Sequence, residues 1–275
     1  MEKAILITGC SSGIGYRCAH DLQQRGYQVI ASCRKPEDVQ RLREEGLTCI
    51  QLDLNDATSI SRAVQETLSI TQGKLYGLFN NGAYGQPGAI EDLPTIALRN
   101  QFETNFFGWH QLVCELLPVM RKQGEGRIVQ NSSVLGFAAM KYRGAYNASK
   151  FALEGWTDTL RLELQGSNIH ISLLEPGPIE TQFRANALSA FNHWINMENS
   201  VHRQEYQLQI QRLAKEESNN AFVLPASSCV MPVIHALEAK RPKIRYRVTT
   251  PTKVFAVLKR LLPTRLLDKI LYKAA

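Results

Sequence analysis

The sequence predicts an α/β fold in which a parallel sheet carries helices on both faces. Short apolar runs alternate along the chain with amphipathic segments of about 10–15 residues, which is typical of strands joined by crossover helices. A glycine-rich turn directly follows the first apolar run, and a Pro-Gly-Pro turn ends a later one. At 275 residues and 44% hydrophobic, the chain has ample core for such a domain.

The elements follow from this pattern in chain order. Apolar runs predict strands at residues 3–8, 27–32, 48–52, 75–80, 127–131 and 170–174. Helical periodicity predicts helices at residues 14–25, 36–45, 56–70, 95–122 and from Tyr146 onward, the third being capped by Asn55 or Asp56. Alternating basic and apolar residues at 243–248 predict a half-exposed edge strand. The turn at 176–178 stops the sixth strand at the edge where ligands bind in such sheets.

The turn TGCSSGIG, at residues 8–15, lies between the first strand and the first helix. Gly9 permits the tight turn, Gly13 lets the backbone approach a pyrophosphate, and Gly15 lets the helix pack on the strand. Backbone N–H groups at the start of the helix favour an anion. The turn therefore predicts a dinucleotide site.

The end of the second strand indicates which dinucleotide is bound. An acidic residue about 20 positions after the glycines would accept hydrogen bonds from both ribose hydroxyls of NAD. Cys33 occupies that position here, and Arg34 follows it, with Ser32 and Lys35 close by. A guanidinium suits the 2′-phosphate of NADP, so we expect NADP. The alternative is that Arg34 and Lys35 form only an exposed basic turn.

Tyr146 and Lys150 are four residues apart on a predicted helix, so their side chains lie on one face. An ammonium beside a phenol favours the phenolate and would bring the tyrosine pKa down from about 10. Ser133, which closes the fifth strand, would point its hydroxyl to the same place. Together these residues predict polarisation of a carbonyl oxygen and proton transfer by Tyr146. Taken alone, the Tyr–Lys pair would be an ordinary surface pair.

Charge divides the chain into two parts. Residues 240–275 hold 11 of the 32 basic residues and one of the 25 acidic ones, a net charge of +10. The remaining 21 bases and 24 acids give the body a net charge of −3. The tail lacks the interleaved aromatic residues of single-strand binders, which argues against nucleic-acid binding. The six cysteines lack metal-ligand spacing and indicate reduced thiols in a cytoplasmic protein, and no apolar run approaches the ~20 residues of a membrane span.

Two segments have open interpretations. The first is residues 182–222, which are rich in Asn, Gln and aromatic residues and predict either a substrate lid or two surface helices. The second is the tail, residues 251–275. Its two predicted helices meet at Pro263 and Thr264, and their apolar stripes are Val254, Val257, Leu258 and Leu261, then Leu266, Leu267, Ile270 and Leu271. This tail either contacts an anionic membrane peripherally or docks on the protein itself or a partner subunit.

These motifs, in this order and spacing, resemble the short-chain dehydrogenase/reductase family. The phrases FNNGAYG, NFFG, SSVLG and EPGPIET are most similar to bacterial NADP-dependent aldehyde reductases and to their 17β-hydroxysteroid and retinol dehydrogenase relatives. The resemblance implies one Rossmann domain over residues 1–250, with a doubly wound seven-stranded sheet. It also implies a homodimer or homotetramer.

The resemblance assigns roles to individual residues. The catalytic set it implies is Asn105, Ser133, Tyr146 and Lys150, with Asn105 holding a water that links Lys150 to solvent. The cofactor set it implies is Gly9, Ser11, Ser12, Gly13, Ile14, Gly15, Arg34, Lys35, Asp53, Leu54, Asn80, Gly82, Tyr146, Lys150, Pro176, Gly177 and Thr181.

The expected function is that of an NADP(H)-dependent oxidoreductase acting on an apolar aldehyde or ketone. The same residues also catalyse alcohol oxidation, so a hydroxysteroid or retinol dehydrogenase is an alternative. A catalytically silent NADP(H)-binding sensor is a second alternative. We expect no metal.

Overall fold

A computed structural model describes residues 3–214 and 221–274. Its centre is a seven-stranded parallel sheet with strand order β3-β2-β1-β4-β5-β6-β9. The strands are β1 (Ala4–Ile7), β2 (Gln28–Cys33), β3 (Thr48–Gln51), β4 (Gly77–Asn80), β5 (Gly126–Asn131), β6 (Ile169–Glu175) and β9 (Arg245–Arg247). The chain order reverses between β1 and β4, so the sheet is doubly wound. The predicted fold is confirmed, with β9 at the predicted edge.

The helices follow the predicted periodicity with one interruption. They are α1 (Gly13–Gln24), α2 (Pro36–Glu44), α3 (Ala57–Ile70), α4 (Thr95–Phe102), α5 (Gly108–Gln123), α6 (Gly144–Glu163), α7 (Phe183–Trp194), α8 (Arg203–Ala214), α9 (Val230–Glu238), α10 (Thr250–Leu261) and α11 (Thr264–Ala274). Asp56 caps α3 by accepting hydrogen bonds from the N–H groups of Thr58 and Ser59. The single helix predicted over 95–122 is divided by a π-helical turn, Glu103–Phe107. Helix α9 was not predicted. Pro232 lies in its first turn, where proline is tolerated.

Alternate side chains of each strand enter two separate cores. Ile5 and Ile7 of β1 pack with α1, α2 and α9, whereas Leu6 packs with α3, α5 and α6. Both faces of the sheet are thus covered by helices, as all-parallel sheets require. This arrangement leaves the carboxyl ends of the strands free to build a site.

The predicted lid consists of two helices that pack on the body. Phe191 of α7 and Tyr206 of α8 form a buried cluster with Ala89. The hydroxyl of Tyr206 accepts a hydrogen bond from the N–H of Ala89 at 2.8 Å and donates one to Asp92. A two-stranded parallel ladder, β7 (Ile179–Glu180) with β8 (Leu224–Pro225), joins the segment at its base. Positions 215–220 of the predicted lid lie outside the described residues.

The tail packs on the body through part of its apolar surface. Leu267 and Leu271 are buried against Val134, Leu135 and Ala138, which follow β5. The apolar residues predicted for the tail are therefore divided between a face that packs on the body and a face that is exposed to solvent. Phe255, Leu258 and Leu262 are partly buried, while Val254, Val257, Leu261 and Leu266 are exposed. Within residues 3–214 and 221–274, no helix is both long and apolar enough to cross a membrane.

Candidate active site

A cavity of about 790 Å³ opens at the carboxyl ends of the strands. Its walls come from the glycine-rich turn, the loops after β4 and β5, the Pro-Gly-Pro turn, both lid helices and the start of α10. Twelve of the predicted site residues line it, namely Gly9, Ser11, Ser12, Gly13, Ile14, Gly82, Ser133, Tyr146, Lys150, Pro176, Gly177 and Thr181. Gly15, Arg34, Lys35, Asp53, Leu54, Asn80 and Asn105 do not line it.

Ser133, Tyr146 and Lys150 meet at one wall of this cavity. Ser133 lies just after β5, and its Oγ accepts a hydrogen bond from the N–H of Leu135 at 3.1 Å. Tyr146 and Lys150 lie in the first two turns of α6, with the ammonium 5.7 Å from the centre of the tyrosine ring. The Nζ of Lys150 donates to the carbonyl of Asn131 at 2.7 Å and lies 4.3 Å from the centre of a Trp109 ring. The lysine is therefore fixed between strand and helix.

Burial sets the protonation of this group. It raises the pKa of Tyr146 to about 12, while a hydrogen bond with Ser133 opposes part of the rise. Burial also lowers the pKa of Lys150 to about 7, against the attraction of Glu154. The expected lowering of the tyrosine pKa thus does not occur in the protein alone, because burial raises that pKa more than the Ser133 hydrogen bond lowers it. Tyr146 is a phenol at neutral pH, the form that can donate a proton.

Asn105 lies fully buried in the π-helical turn between α4 and α5. Its side-chain amide accepts from the N–H of Tyr84 at 3.2 Å and donates to the carbonyl of Tyr84 at 2.9 Å. A further bond from its Nδ2 to Ser149 Oγ, at 3.3 Å, ties the turn to α6 beside Lys150. The side chain thus fixes the loop after β4, and its link to Lys150 through water stays a prediction. π-Helical turns are frequent at functional sites.

The glycine-rich turn forms a tight cradle. Gly9 and Gly13 have φ of 69° and 62°, which side-chain-bearing residues rarely adopt. A Cβ on Gly13 would lie 2.8 Å from the Cγ2 of Thr181, so the turn closely faces the loop after β6. A Cβ on Gly15 would collide with the carbonyl of Gly9. The turn thus leaves room for backbone approach to a phosphate and no room for side chains, and it fits a dinucleotide.

The loop after β4 contains a residue that the sequence reasoning missed. Asn80 is buried within the strand, whereas Asn81 lines the cavity. The Asn81 amide donates to the carbonyls of Thr8 and Gly9 at 2.9 and 3.1 Å and accepts from Asn131 at 2.9 Å. Because Asn131 also holds Lys150 through its carbonyl, this chain of contacts connects the glycine turn to Lys150. The position of Asn81 directly after a strand could have indicated it.

The residues assigned to the adenosine end lie at the carboxyl ends of β2 and β3. Arg34 and Lys35 are exposed, and Cys33 before them is buried. Asp53 accepts a hydrogen bond from the N–H of Asn55 at 2.9 Å, and Leu54 packs against Gly82. Their contacts with a nucleotide stay predictions.

A further residue missed from the sequence supports the glycine turn. Arg41 of α2 donates to the carbonyl of Ser11 at 2.7 Å. The same guanidinium is held by Asp38 of that helix and by Glu45 directly after it. This contact fixes the turn from outside the cavity.

The tail is attached to the turn after β6. A Cβ on Gly177 would collide with the hydroxyl of Thr249 and lie 2.8 Å from that of Thr252. Both threonines are fully buried, and their hydroxyls are 2.9 Å apart. Val254 and Phe255 of α10 line the cavity. The first turn of the tail is therefore a wall of the site.

The described residues contain no group of three or more His, Cys, Asp or Glu side chains that could hold a metal ion.

Comparison with known proteins agrees with this geometry. The family model for short chain dehydrogenases matches residues 3–191. The uncharacterized oxidoreductase YbbO of Escherichia coli K12 is 44% identical over 272 residues, which cover 98% of this chain and 94% of that protein. Human retinol dehydrogenase 8 is 41% identical over 198 residues, which cover 68% of this chain and 62% of that protein.

A solved short-chain dehydrogenase/reductase from Burkholderia phymatum, in complex with NAD, shares the fold with a TM-score of 0.78 at 24% identity. The match covers 94% of this chain and 92% of that one. The sheet order, the glycine turn and these matches all point to the same assignment, and the chain belongs to the short-chain dehydrogenase/reductase family of oxidoreductases.

Proposed function

We propose that the protein is an NADP(H)-dependent oxidoreductase that reduces the carbonyl group of an apolar aldehyde or ketone. The observation that carries this proposal is the meeting of Ser133, Tyr146 and Lys150 on a cavity that also contains the glycine cradle. A carbonyl compound and a nicotinamide would share that cavity. The bound cofactor supplies the hydride.

The chain's own residues orient the substrate and move a proton. Ser133 and Tyr146 hydrogen-bond the carbonyl oxygen and polarise it. Tyr146 then donates its proton to the alkoxide that forms, and the buried Lys150 stabilises the resulting phenolate. The contact of Lys150 with the Asn131 carbonyl keeps the ammonium in place for this role.

The cofactor form is proposed from charge. Cys33 lies where an acid would bind the ribose hydroxyls of NAD, and Arg34 next to it is exposed and ready to meet a 2′-phosphate. The planar guanidinium fork would donate two parallel hydrogen bonds to oxygens of that phosphate. The alternative of a purely structural basic turn is tested below.

The substrate is proposed to be apolar and of some size. The cavity is also lined by apolar side chains, namely Met140, Phe183, Phe191, Phe222 and Val254. The name of retinol dehydrogenase 8 favours, as a second candidate, a dehydrogenase that oxidises a retinoid or steroid alcohol in the same site.

The test is a set of initial rates with NADPH. Substrates run from short aldehydes through long-chain and retinoid aldehydes to ketosteroids, and retinol and hydroxysteroids are tested with NADP⁺. We expect turnover of the larger apolar carbonyl compounds. A protein that binds NADPH but turns over no compound of either panel would instead be a silent cofactor-binding sensor.

The assembly and location are proposed from exposed apolar residues. Phe107, Phe151 and Leu162 are exposed on the π-helical turn and α6, and we propose that this face packs in a homo-oligomer. Light scattering of the purified protein tests this, and Leu162→Asp should shift the mass to that of a monomer. A monomeric wild type would refute it.

The exposed face of α10 suits an anionic membrane surface. Val254, Val257 and Leu261 form a stripe there, and Lys253 and Arg260 flank it. Each basic residue near such a surface adds about 1 kcal/mol of attraction. Because Val254 also lines the cavity, a protein lying on the membrane through this stripe would present its cavity to lipid-dissolved substrates. We propose a cytoplasmic protein with this peripheral contact.

A further inference from the structure

The cavity has a strongly one-sided charge. Among the described residues, three arginines line it together with Lys150, and no aspartate or glutamate does. The arginines are Arg143, Arg184 and Arg212. The glycine cradle accounts for the phosphates of a dinucleotide on one side. Arg143 is not part of that cradle and is the arginine whose position is best defined.

Arg143 is fixed at the start of α6, three residues before Tyr146. The preceding Tyr142 has a φ of 60°, and its carbonyl accepts from the N–H of Gly88 at 2.9 Å. The carbonyl of Arg143 itself accepts from the N–H of Asn147 at 2.8 Å. The backbone that carries the guanidinium is thus held on both sides, and strain of this kind is commonly retained at functional sites.

The guanidinium of Arg143 is half-buried and has no partner in the part of the chain that the structure describes. It forms no hydrogen bond or ion pair with any side chain or backbone group of residues 3–214 and 221–274. A partly buried cation without a counter-charge is costly, and it is retained most readily where a ligand supplies the anion. The rigid fork of arginine matches a carboxylate in particular.

Arg212 adds positive charge from the lid side. It donates to the Oε1 of Gln209, another cavity residue, at 2.8 Å, and it pairs with no carboxylate of the described chain. Burial lowers its pKa. Leu213 and Phe222 also line the cavity and are apolar, so a cavity that holds both arginines suits an amphiphile rather than a polar metabolite.

We propose that the substrate carries a carboxylate in addition to its carbonyl group, and that Arg143 binds this carboxylate. The substrate class is therefore an oxo acid with an apolar chain, and Arg212 contributes attraction from the lid. The proposal rests on the proposed function, whose cavity it uses.

Dead-end ligands test the subsite without turnover. Decanoate and 1-decanol have the same chain and are not reduced by NADPH, so calorimetry can measure both against the protein with and without NADPH. We expect decanoate to bind the wild type about 10- to 100-fold more tightly, as a charge-assisted hydrogen bond allows. Arg143→Gln should abolish that preference and leave the affinity for 1-decanol within a few-fold. Arg212→Gln should reduce the preference less.

Arg241→Gln is the matched control, since Arg241 is exposed and lies outside the cavity. This variant should bind decanoate in preference to 1-decanol as strongly as the wild type does. If Arg143→Gln fails to fold by thermal unfolding, Arg143→Lys should fold and show an intermediate preference, because it keeps the charge but loses the fork. Two results would overturn the carboxylate subsite. One is equal affinity of the wild type for decanoate and 1-decanol, and the other is an Arg143 variant that prefers decanoate as strongly as Arg241→Gln does.

Kinetics separates this inference from the proposed function. A long-chain ω-oxo acid should have a lower KM than its methyl ester with similar kcat, and Arg143→Gln should raise only the KM of the acid. Reduction of acid and ester with the same KM would overturn the carboxylate subsite and leave the reductase standing. Absence of any reduction, with decanoate still preferred over 1-decanol, would count against the reductase alone.

Discussion

Lys150→Met tests the electrostatic description of the site most directly. Burial lowers the pKa of Lys150 from 10.5 to about 7, and at about 1.4 kcal/mol per pH unit this corresponds to about 5 kcal/mol for keeping the buried ammonium charged. Methionine fills a similar volume without charge. It leaves the Asn131 carbonyl unpaired, which costs about 1–3 kcal/mol. We therefore expect the variant to be about 2 kcal/mol or more stable than the wild type at pH 7.

The stability difference between Lys150→Met and the wild type should depend on pH in a direction that the shifted pKa of Lys150 determines. Between pH 7 and 10.5 the unfolded lysine is charged while the folded one is neutral, so unfolding binds a proton and the stability of the wild type rises with pH. Below pH 7 both states are charged and the full cost remains. The advantage of Lys150→Met should therefore shrink by about 3 kcal/mol between pH 7 and 9.5.

The assay is urea unfolding of the cofactor-free protein at both pH values. Titrating groups that do not interact with Lys150 cancel in the difference between variant and wild type, whereas Glu154, which attracts Lys150, does not. Lys122→Met, at an exposed position of α5, is the matched control and should show no pH-dependent difference. The variant should also lose turnover, since stability gained at a catalytic residue commonly costs activity. A variant that is less stable than the wild type at pH 7, or a difference that stays constant with pH, would refute the burial argument.

Three further predictions address the chemistry, the cofactor and the location. Tyr146→Phe should bind NADPH as the wild type does and lose at least about 100-fold in kcat, because the ring packs but cannot donate a proton; retention of near-normal turnover would refute its role. Arg34→Ala should raise KM for NADPH about 10- to 100-fold and leave KM for NADH nearly unchanged, and equal effects would make Arg34 structural. The wild type should sediment with anionic liposomes at low salt and be released at high salt, whereas Val257→Ser/Leu261→Ser should stay in the supernatant. Wild type that stays unbound at low salt would show that the exposed stripe is not a membrane contact.

The tail prediction is restricted to surface substitutions for a structural reason. Thr249 and Thr252 lie against Gly177, so a chain ending at residue 250 would expose the turn that closes the cavity. Such a truncation would confuse loss of a membrane contact with damage to the site. Val257 and Leu261 are exposed, and substituting them leaves that wall intact.

The sequence alone determined those features that depend on local pattern. The glycine spacing at 9, 13 and 15 identifies the cradle, because each glycine meets a local steric need that no other residue satisfies. The four-residue spacing of Tyr146 and Lys150 places both on one face of α6 whatever surrounds that helix. Alternating strands and helices likewise imply a parallel sheet, because a parallel crossover needs a helix-length connection.

The tertiary structure decided whatever depends on residues far apart in the chain. The sequence left the tail between membrane and protein, and only its packing against Leu135 and Gly177 shows that it is a wall of the cavity with one face exposed. Sequence reasoning put a lysine cation beside a tyrosine, but the pKa of each depends on how completely the fold removes water. The contacts of Asn81, and the lack of a partner for the Arg143 guanidinium among residues 3–214 and 221–274, were hidden for the same reason. The periodicity of a local segment determines which face of its helix or strand a side chain occupies. Whether that side chain is shielded from water, and which group it pairs with, depends on distant segments that only folding brings next to it.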